Sequence, residues 1–268
     1  DYFPRAGKRA GAWMDNLTPQ YKKDGVNYRP IIVNVGNFTK PTAGKPSLLN
    51  MDEVETLFHE FGHALHGLLS QCTYPSQAGT SVSRDFVELP SQIMENWCFE
   101  PQVMKTYAKH YTTGEVMPQE LMDKIQKAGT FNQGFTMTEL LSASLLDMDW
   151  HSIKDTANFD VEAFEKATME RIGMIPEIIV RYRSTFFNHI FTGGYSAGYY
   201  SYTWAEVLDA DAYQAFVESG DIYNPKVATA FRKNILEKGD SDDPMKLYKT
   251  FRGADPNPDA LLKRRGLK

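Results

Sequence analysis

His59-Glu60-Phe61-Gly62-His63 reads H-E-x-x-H. Positions i and i+4 share one face of a helix, about 6 Å apart along the axis at 1.5 Å per residue. Two imidazoles at that spacing can grip one metal ion. The carboxylate of Glu60, one step round the helix, falls beside the metal's open position, where it can take a proton from water. The implied chemistry is metal-assisted hydrolysis. It needs a third ligand and groups that meet the charge of the transition state.

A five-residue pattern also arises by chance, so its context decides. Asn50 followed by Glu53 has the spacing of a helix-start capping box. Val54, Leu57, Phe58, Phe61, Ala64, Leu65, Leu68 and Leu69 recur at helical spacing, which predicts a helix over 51–70. This apolar stripe is expected to pack inward and carry the histidines with it. Gly62 costs about 1 kcal/mol relative to Ala inside a helix, and a close approach of another backbone would account for it. His66 lies about 10.5 Å along the axis from His59, too far to share a metal with it. It is expected to pack behind the ligands.

For the third ligand, a histidine six residues after His63 would mark a metzincin, but that position is Leu69. The next candidate is Arg84-Asp-Phe-Val-Glu-Leu-Pro-Ser-Gln-Ile-Met-Glu-Asn-Trp97. Pro90 is tolerated only in a first turn, so a helix is expected from about Glu88, with Glu88, Gln92 and Glu95 on one face. The short Gly-, Ser- and Pro-containing loop from Gln71 to Ser83 favours an antiparallel neighbour to the metal helix. Glu88 is therefore the expected third ligand. Glu95 either orients a ligand or lies on the surface.

Residues 191–204 stand out separately. Gly193, Gly194 and Gly198 loosen the backbone, and Tyr195, Tyr199, Tyr200 and Tyr202 place four phenols in eight residues. Helical spacing would put Tyr195, Tyr199 and Tyr202 on one face. Tyr200 and Trp204 read as a core stripe. A neutral phenol can donate a directed hydrogen bond to a developing oxyanion, worth roughly 2.7–4 kcal/mol by analogy with oxyanion-hole deletions.

The chain has 268 residues and a net charge of −5, with a pI of about 5.7. It is long enough for a substantial core in one region, 1–268. Lys263-Arg-Arg-Gly-Leu-Lys268 is too short a basic tail to argue for nucleic acid. No apolar run approaches a membrane span, so no membrane partner is expected. Cys72 and Cys98 are the only cysteines, which fits a reducing, cytoplasmic setting better than a disulfide scaffold. The fold expected is mainly α with a small β element near the N-terminus: strands within 1–50, helices over 51–268. Ile31–Val35 is the clear strand, with Gly7–Trp13 its expected partner. Helices are expected at about 51–70, 88–99, 101–112, 118–128, 133–152, 160–172, 176–189, 196–218, 225–238 and 257–264.

Phe58-His-Glu-Phe-Gly-His-Ala-Leu-His66, Arg84 to Gln92 and Glu95-Asn-Trp97 resemble the thimet oligopeptidase and peptidyl-dipeptidase family of zinc metallopeptidases. A second block, His189-Ile-Phe-Thr-Gly-Gly-Tyr-Ser-Ala-Gly-Tyr-Tyr-Ser-Tyr-Thr-Trp204, resembles the family's Gly-rich loop and substrate-reaching tyrosines. The resemblance covers nearly the whole chain. It implies a zincin-like catalytic half of an oligopeptidase fold, with one Zn2+ per chain on His59, His63 and Glu88 and Glu60 as general base. It further implies Tyr195, Tyr199 and Tyr202 at the substrate, with Tyr199 and Tyr202 favoured for the oxyanion, and His189 just before the loop. Met117 to Leu121, Phe131 to Phe135 and Leu140 to His151 bring the likeness nearer to the bacterial peptidyl-dipeptidases, which implies release of C-terminal dipeptides from short peptides. The alternatives are internal cleavage of such peptides, or a catalytically weak fragment that only binds them. Family members are more than twice this long, so the resemblance also implies a partner in the missing N-terminal half of the same protein.

Overall fold

A computed structural model describes residues 1–155, 157 and 159–268. The fold is mainly α, with two small two-stranded sheets near the N-terminus. β1 (Trp13–Thr18) pairs antiparallel with β4 (Ile31–Val35), from Trp13 opposite Val35 to Asn16 opposite Ile32, with a bulge before Thr18. The partner of Ile31–Val35 therefore starts at Trp13, where the expected strand Gly7–Trp13 ended. β2 (Tyr21–Lys23) and β3 (Val26–Tyr28) form the tip of the arm. Their turn is Asp24-Gly25, both at positive φ, the backbone that matches the twist of a tight hairpin.

The arm grips the C-terminal end of α1 (Met51–Leu69). Arg29 donates to the Ser70 carbonyl at 2.9 Å, and the buried Gln20 bonds both the Cys72 amide and its carbonyl. The other end of α1 is closed by the Asn50/Glu53 capping box, each side chain bonding the other's backbone amide. α2 (Leu89–Cys98) follows with Pro90 in its first turn, as its sequence requires. Gly62 lies against Pro90 and Ser91, while His59, earlier in α1, meets Glu95, later in α2. The two helices are therefore antiparallel. A Cβ on Gly62 would stand 2.2 Å from the Pro90 carbonyl oxygen.

The buried face of α1 carries Glu60, Gly62, Ala64, His66 and Gly67, all small or polar. Phe61 and Leu68, expected inside, are 48% and 40% exposed. Contact with α2 and with the β arm selects small residues, and that displaces the large apolar ones from the tight face.

The remaining helices are α3 (Pro101–Tyr107), α4 (Gln119–Ala128), α5 (Gln133–Trp150), α6 (Val161–Arg171), α7 (Asn188–Phe191), α8 (Ser201–Glu218), α9 (Pro225–Phe231), α10 (Pro244–Arg252) and α11 (Asp259–Arg264). A π turn, Arg232–Leu236, continues α9. The main core joins Leu89 and Ile93 of α2 to Leu208, Ala212 and Phe216 of α8, with Ile235, Leu247 and Tyr248 below. α11 is clipped to α8 by ion pairs from Arg264 to Asp209 and from Arg265 to Glu206. A second cluster packs Leu140 and Ala143 of α5 on Phe187, Ile190 and Tyr199.

The expected helix over 176–189 does not form. A short 3₁₀ turn, Ser184–Phe186, and α7 stand there instead. The buried Glu165 of α6 accepts from the Ser184 amide at 2.7 Å and its hydroxyl at 2.9 Å, which ties the chain here to α6 and off a helical path. The expected helix over 101–112 stops at Tyr107 because the chain turns back, pairing Lys109 with Val116. α10 went unread, although Asp243 caps it and Pro244 opens it. Cys72 and Cys98 are buried and unpaired with each other.

Gly62→Ala in the intact protein should lower stability by about 1–3 kcal/mol through overpacking, although Ala is the better helix former by about 1 kcal/mol. The shift in the urea midpoint measures it, and an unchanged or raised midpoint would remove the close approach as the reason for Gly62.

Candidate active site

α1 presents His59 and His63 one turn apart, and α2 is capped by Glu88 at the same level. His63 Nε2 lies 3.2 Å and His59 Nε2 3.4 Å from Glu88 Oε2. The donor atoms of the three residues fall within 4.8 Å of one another, so they could hold one metal ion. Two imidazoles and one carboxylate are a hydrolytic metal's donor set with a position left open. The rings stand edge to face with centroids 5.0 Å apart, so both Nε2 atoms point at the shared space rather than at each other.

Glu95 Oε1 is 2.6 Å from His59 Nδ1. That contact fixes the ring and keeps a proton on Nδ1, which leaves Nε2, on the Glu88 side, as the nitrogen able to bind a metal. His63 Nδ1 is buried and has no hydrogen-bond partner among the described residues. Burial by itself would raise the Glu88 carboxyl, but the His63 and His59 imidazoles hold it well below its usual range. Burial likewise opposes a charged His59, yet Glu88 and Glu95 lift it well above the usual imidazole value. Two carboxylates around a buried imidazole pair favour a cation between them, which is the electrostatics of a metal cradle.

Glu60 is 7% exposed, and its Oε2 is buried without a partner among the described residues. Such an orphaned oxygen has free acceptor capacity within the electrostatic reach of His59, His63 and Glu88. Burial raises its carboxyl above the usual value, against the opposing pull of His59 and His63. His66 lies outside this set, fully buried with neither ring nitrogen hydrogen-bonded among the described residues, and burial pushes it down to about 3. It stays neutral and packs behind the ligands.

The tyrosine block closes the other side. α8 begins only at Ser201, so Tyr195 and Tyr199 sit on a turn rather than on the helix expected from 196. The three phenols still converge. The Tyr195 ring stacks on Tyr202 at 5.2 Å, and Tyr199 meets Tyr202 at 5.1 Å. Tyr195 donates to Glu88 Oε1 at 2.5 Å, while burial and the Glu88 charge keep its phenol neutral by raising its pKa. Tyr202 is raised in the same way, by burial first and Glu88 next. Tyr199 is 3% exposed and packs on Phe187. His189 lies among them, 5.6 Å from Tyr199 and 6.3 Å from Tyr202 between ring centroids, and burial followed by Arg181 lowers its pKa. Tyr200, expected in the core, is 45% exposed and donates to Asp85 at 3.2 Å.

Two residues of the Arg84–Trp97 segment acquire contacts that the sequence did not disclose. The Arg84 guanidinium lies 4.5 Å over the Tyr195 ring, and Gln92 donates to the Tyr202 carbonyl at 3.3 Å. Arg84 stands four residues before Glu88 and Gln92 four after it, so a face count from the ligand was the available signal.

The profile of Peptidase family M3 matches residues 1–267. The chain belongs to peptidase family M3. It is 48% identical to dipeptidyl carboxypeptidase of Escherichia coli over all of this chain and 39% of that protein. It is 42% identical to oligopeptidase A of Salmonella typhimurium over all of this chain and 40% of that protein. A probable cytosolic oligopeptidase A of Arabidopsis thaliana is 40% identical over 99% of the chain and 39% of its own length. The chain thus spans about two fifths of the relatives it matches. No helix among the described residues is long and apolar enough to cross a membrane.

Glu95→Ala should weaken metal affinity about 10–100-fold, since it removes the group that orients the His59 ring. Competition against a chelator of known affinity reads this directly, and an unchanged affinity would leave the contact without a part in binding.

Proposed function

We propose that this chain carries the reaction centre of a zinc peptidase acting on short peptides. One Zn2+ would be held by His59, His63 and Glu88. The observation that carries the reading is the approach of both histidine Nε2 atoms to Glu88 Oε2, beside the orphaned oxygen of Glu60. Zinc bound there supplies Lewis acidity, lowering the pKa of water and polarising the scissile carbonyl. Glu60 takes the proton of the attacking water and delivers it to the leaving amine. A neutral phenol, Tyr202 or Tyr199, donates to the developing oxyanion. The packing of Tyr199 into the Phe187 cluster favours Tyr202. Tyr195, on the Gly-rich turn, exchanges its bond to Glu88 for one to substrate as the turn closes, and His189 lines the same wall.

The higher identity to dipeptidyl carboxypeptidase supports release of dipeptides from free C-termini. The oligopeptidase relatives keep internal cleavage of short peptides as the second reading. The rest of a longer protein would form the opposite wall of the substrate channel. A soluble, cytoplasmic setting accords with the cytosolic name of one relative.

In the intact protein, Glu60→Gln should keep its fold and one zinc per chain but lose about 10²–10⁴-fold in kcat. Metal analysis and steady-state kinetics on one short peptide check this, and near wild-type turnover would remove Glu60 as the base.

The mode of cleavage is read by mass spectrometry of products from free-ended and C-terminally amidated copies of one peptide. Dipeptides from the free-ended copy alone are expected. Equal cleavage of both copies, or cuts far from the end, would establish the oligopeptidase mode.

A further inference from the structure

Leu140–His151 stood out in the sequence and has so far no part in the chemistry. Within it, Asp147 of α5 is fully buried. Its Oδ1 accepts from the Ala197 amide at 2.9 Å and its Oδ2 from the Tyr199 amide at 2.8 Å. His151 Nδ1, one turn along α5, lies 2.8 Å from Oδ1. Ala197 has φ +51°, the left-handed region that a residue with a Cβ seldom adopts. Backbone amides around a left-handed residue form a concave cradle for an anion, and here the anion is the protein's own carboxylate.

The two amides flank Gly198 within the turn that directs the phenols. Tyr195 stands two residues before Ala197 and Tyr202 three after Tyr199. At one end of the turn Tyr195 reaches Glu88, and its ring stacks on Tyr202. Without the anion, the buried Tyr199 amide and the half-buried Ala197 amide lose their acceptor, and the left-handed residue loses the bond that holds it. The phenols would then lose their aim, while the metal cradle on α1 and α2 would keep its own contacts.

We propose that Asp147 is a positioning residue: its buried carboxylate, backed by His151, fixes the 195–202 turn so that the Tyr195 and Tyr202 phenols face the metal cradle. The inference rests on the peptidase reading above. Asn is nearly the same size but offers one accepting oxygen. It can serve one amide and must turn its own N–H group toward the other.

The test compares Asp147→Asn with wild type, each alone and combined with Tyr202→Phe, in the intact zinc-loaded protein. Hydrogen exchange of the 195–202 amides should quicken at least tenfold with one zinc per chain retained. Turnover per zinc-loaded molecule should fall about 10–100-fold in kcat with KM within threefold. In the Tyr202→Phe background the same change should cost less than threefold, because the phenol being aimed is already gone. A loss confined to the folded fraction, with kcat per zinc-loaded molecule unchanged, would overturn the proposal, and so would an equal loss in both backgrounds. If wild type shows no Glu60-dependent hydrolysis, the peptidase reading fails separately. The exchange measurement then decides, and unchanged exchange of the turn would dispose of the anchor.

Discussion

The missing side chain at Gly62 is the constraint on which the site depends. A Cβ there would lie 2.2 Å from the Pro90 carbonyl oxygen and 2.6 Å from the Ser91 Cα, so only glycine lets the two backbones touch. His63 leaves α1 at the next residue, and Glu88 stands two before Pro90. The contact therefore sets the spacing between the candidate ligands on the two helices. Metal–ligand distances tolerate about 0.2 Å, far less than the displacement that one interposed methyl group would force. The tight face continues along the helix. A Cβ on Gly67 would meet Met14 and Ile32 of the β arm at 2.7 Å, and one on Gly79 would stand 2.9 Å from the Gly67 Cα. The small sheets thus buttress the helix that carries both histidines.

Charge acts inside that frame, and it treats the two histidines differently. His59 is held from behind by Glu95, which fixes its tautomer, whereas His63 has no polar partner at Nδ1 among the described residues. The His63 ring instead meets the edge-to-face His59 ring at 5.0 Å, on a stretch of α1 that Gly62 seats against α2. One ligand is aimed by a hydrogen bond and the other by packing. Glu88 is shared: Oε2 faces the imidazoles and Oε1 accepts from Tyr195. The Ser91 hydroxyl, at 3.0 Å from Oε2, adds a further donor. A carboxylate buried this deeply stays ionised only because each oxygen is met by a donor or a cation.

What could be read from the sequence was whatever one helix decides for itself. The spacing of His59 and His63, the Asn50/Glu53 cap and the Pro90 start of α2 are local, and all appear as read. The pairing of Glu88 with the histidines was reachable because a short loop leaves an antiparallel return as the simple path. The sidedness of α1 was not reachable. Apolar periodicity pointed Phe61 and Leu68 inward, but the neighbours admit only small residues. Tyr200 was likewise assigned to a stripe on the assumption that the helix already ran through it, whereas α8 starts one residue later. The run 176–189 forms no continuous helix because the buried Glu165 claims the Ser184 amide, a tertiary contact invisible to local pattern.

Function asks for opposite properties on the two sides of this site. The metal side must not move, and it is built from paired helices, with α2 packed on α8 through Leu89, Ile93, Leu208 and Ala212. On the proposed reading the phenol side has to move, because the Tyr195 hydroxyl is hydrogen-bonded to Glu88. The structure confines that freedom to a few residues. Gly194, at φ +81°, has Arg84 Nη2 only 3.1 Å from where a Cβ would be, and the same guanidinium covers the Tyr195 ring. The Ser196 hydroxyl holds the Ile190 carbonyl at 2.6 Å, pinning the turn to α7. A turn clamped at both ends and loosened by glycine can redirect one phenol without disturbing the helix that follows. Tyr202, in the first turn of that helix, is held by the core on one side and by the turn that Asp147 anchors on the other. Tyr195, outside the helix, is tied to Glu88 by a single hydroxyl bond, which the proposed mechanism would exchange for one to substrate. The two stacked rings thus stand on either side of the point where α8 begins, and the Asp147-anchored amides lie between them.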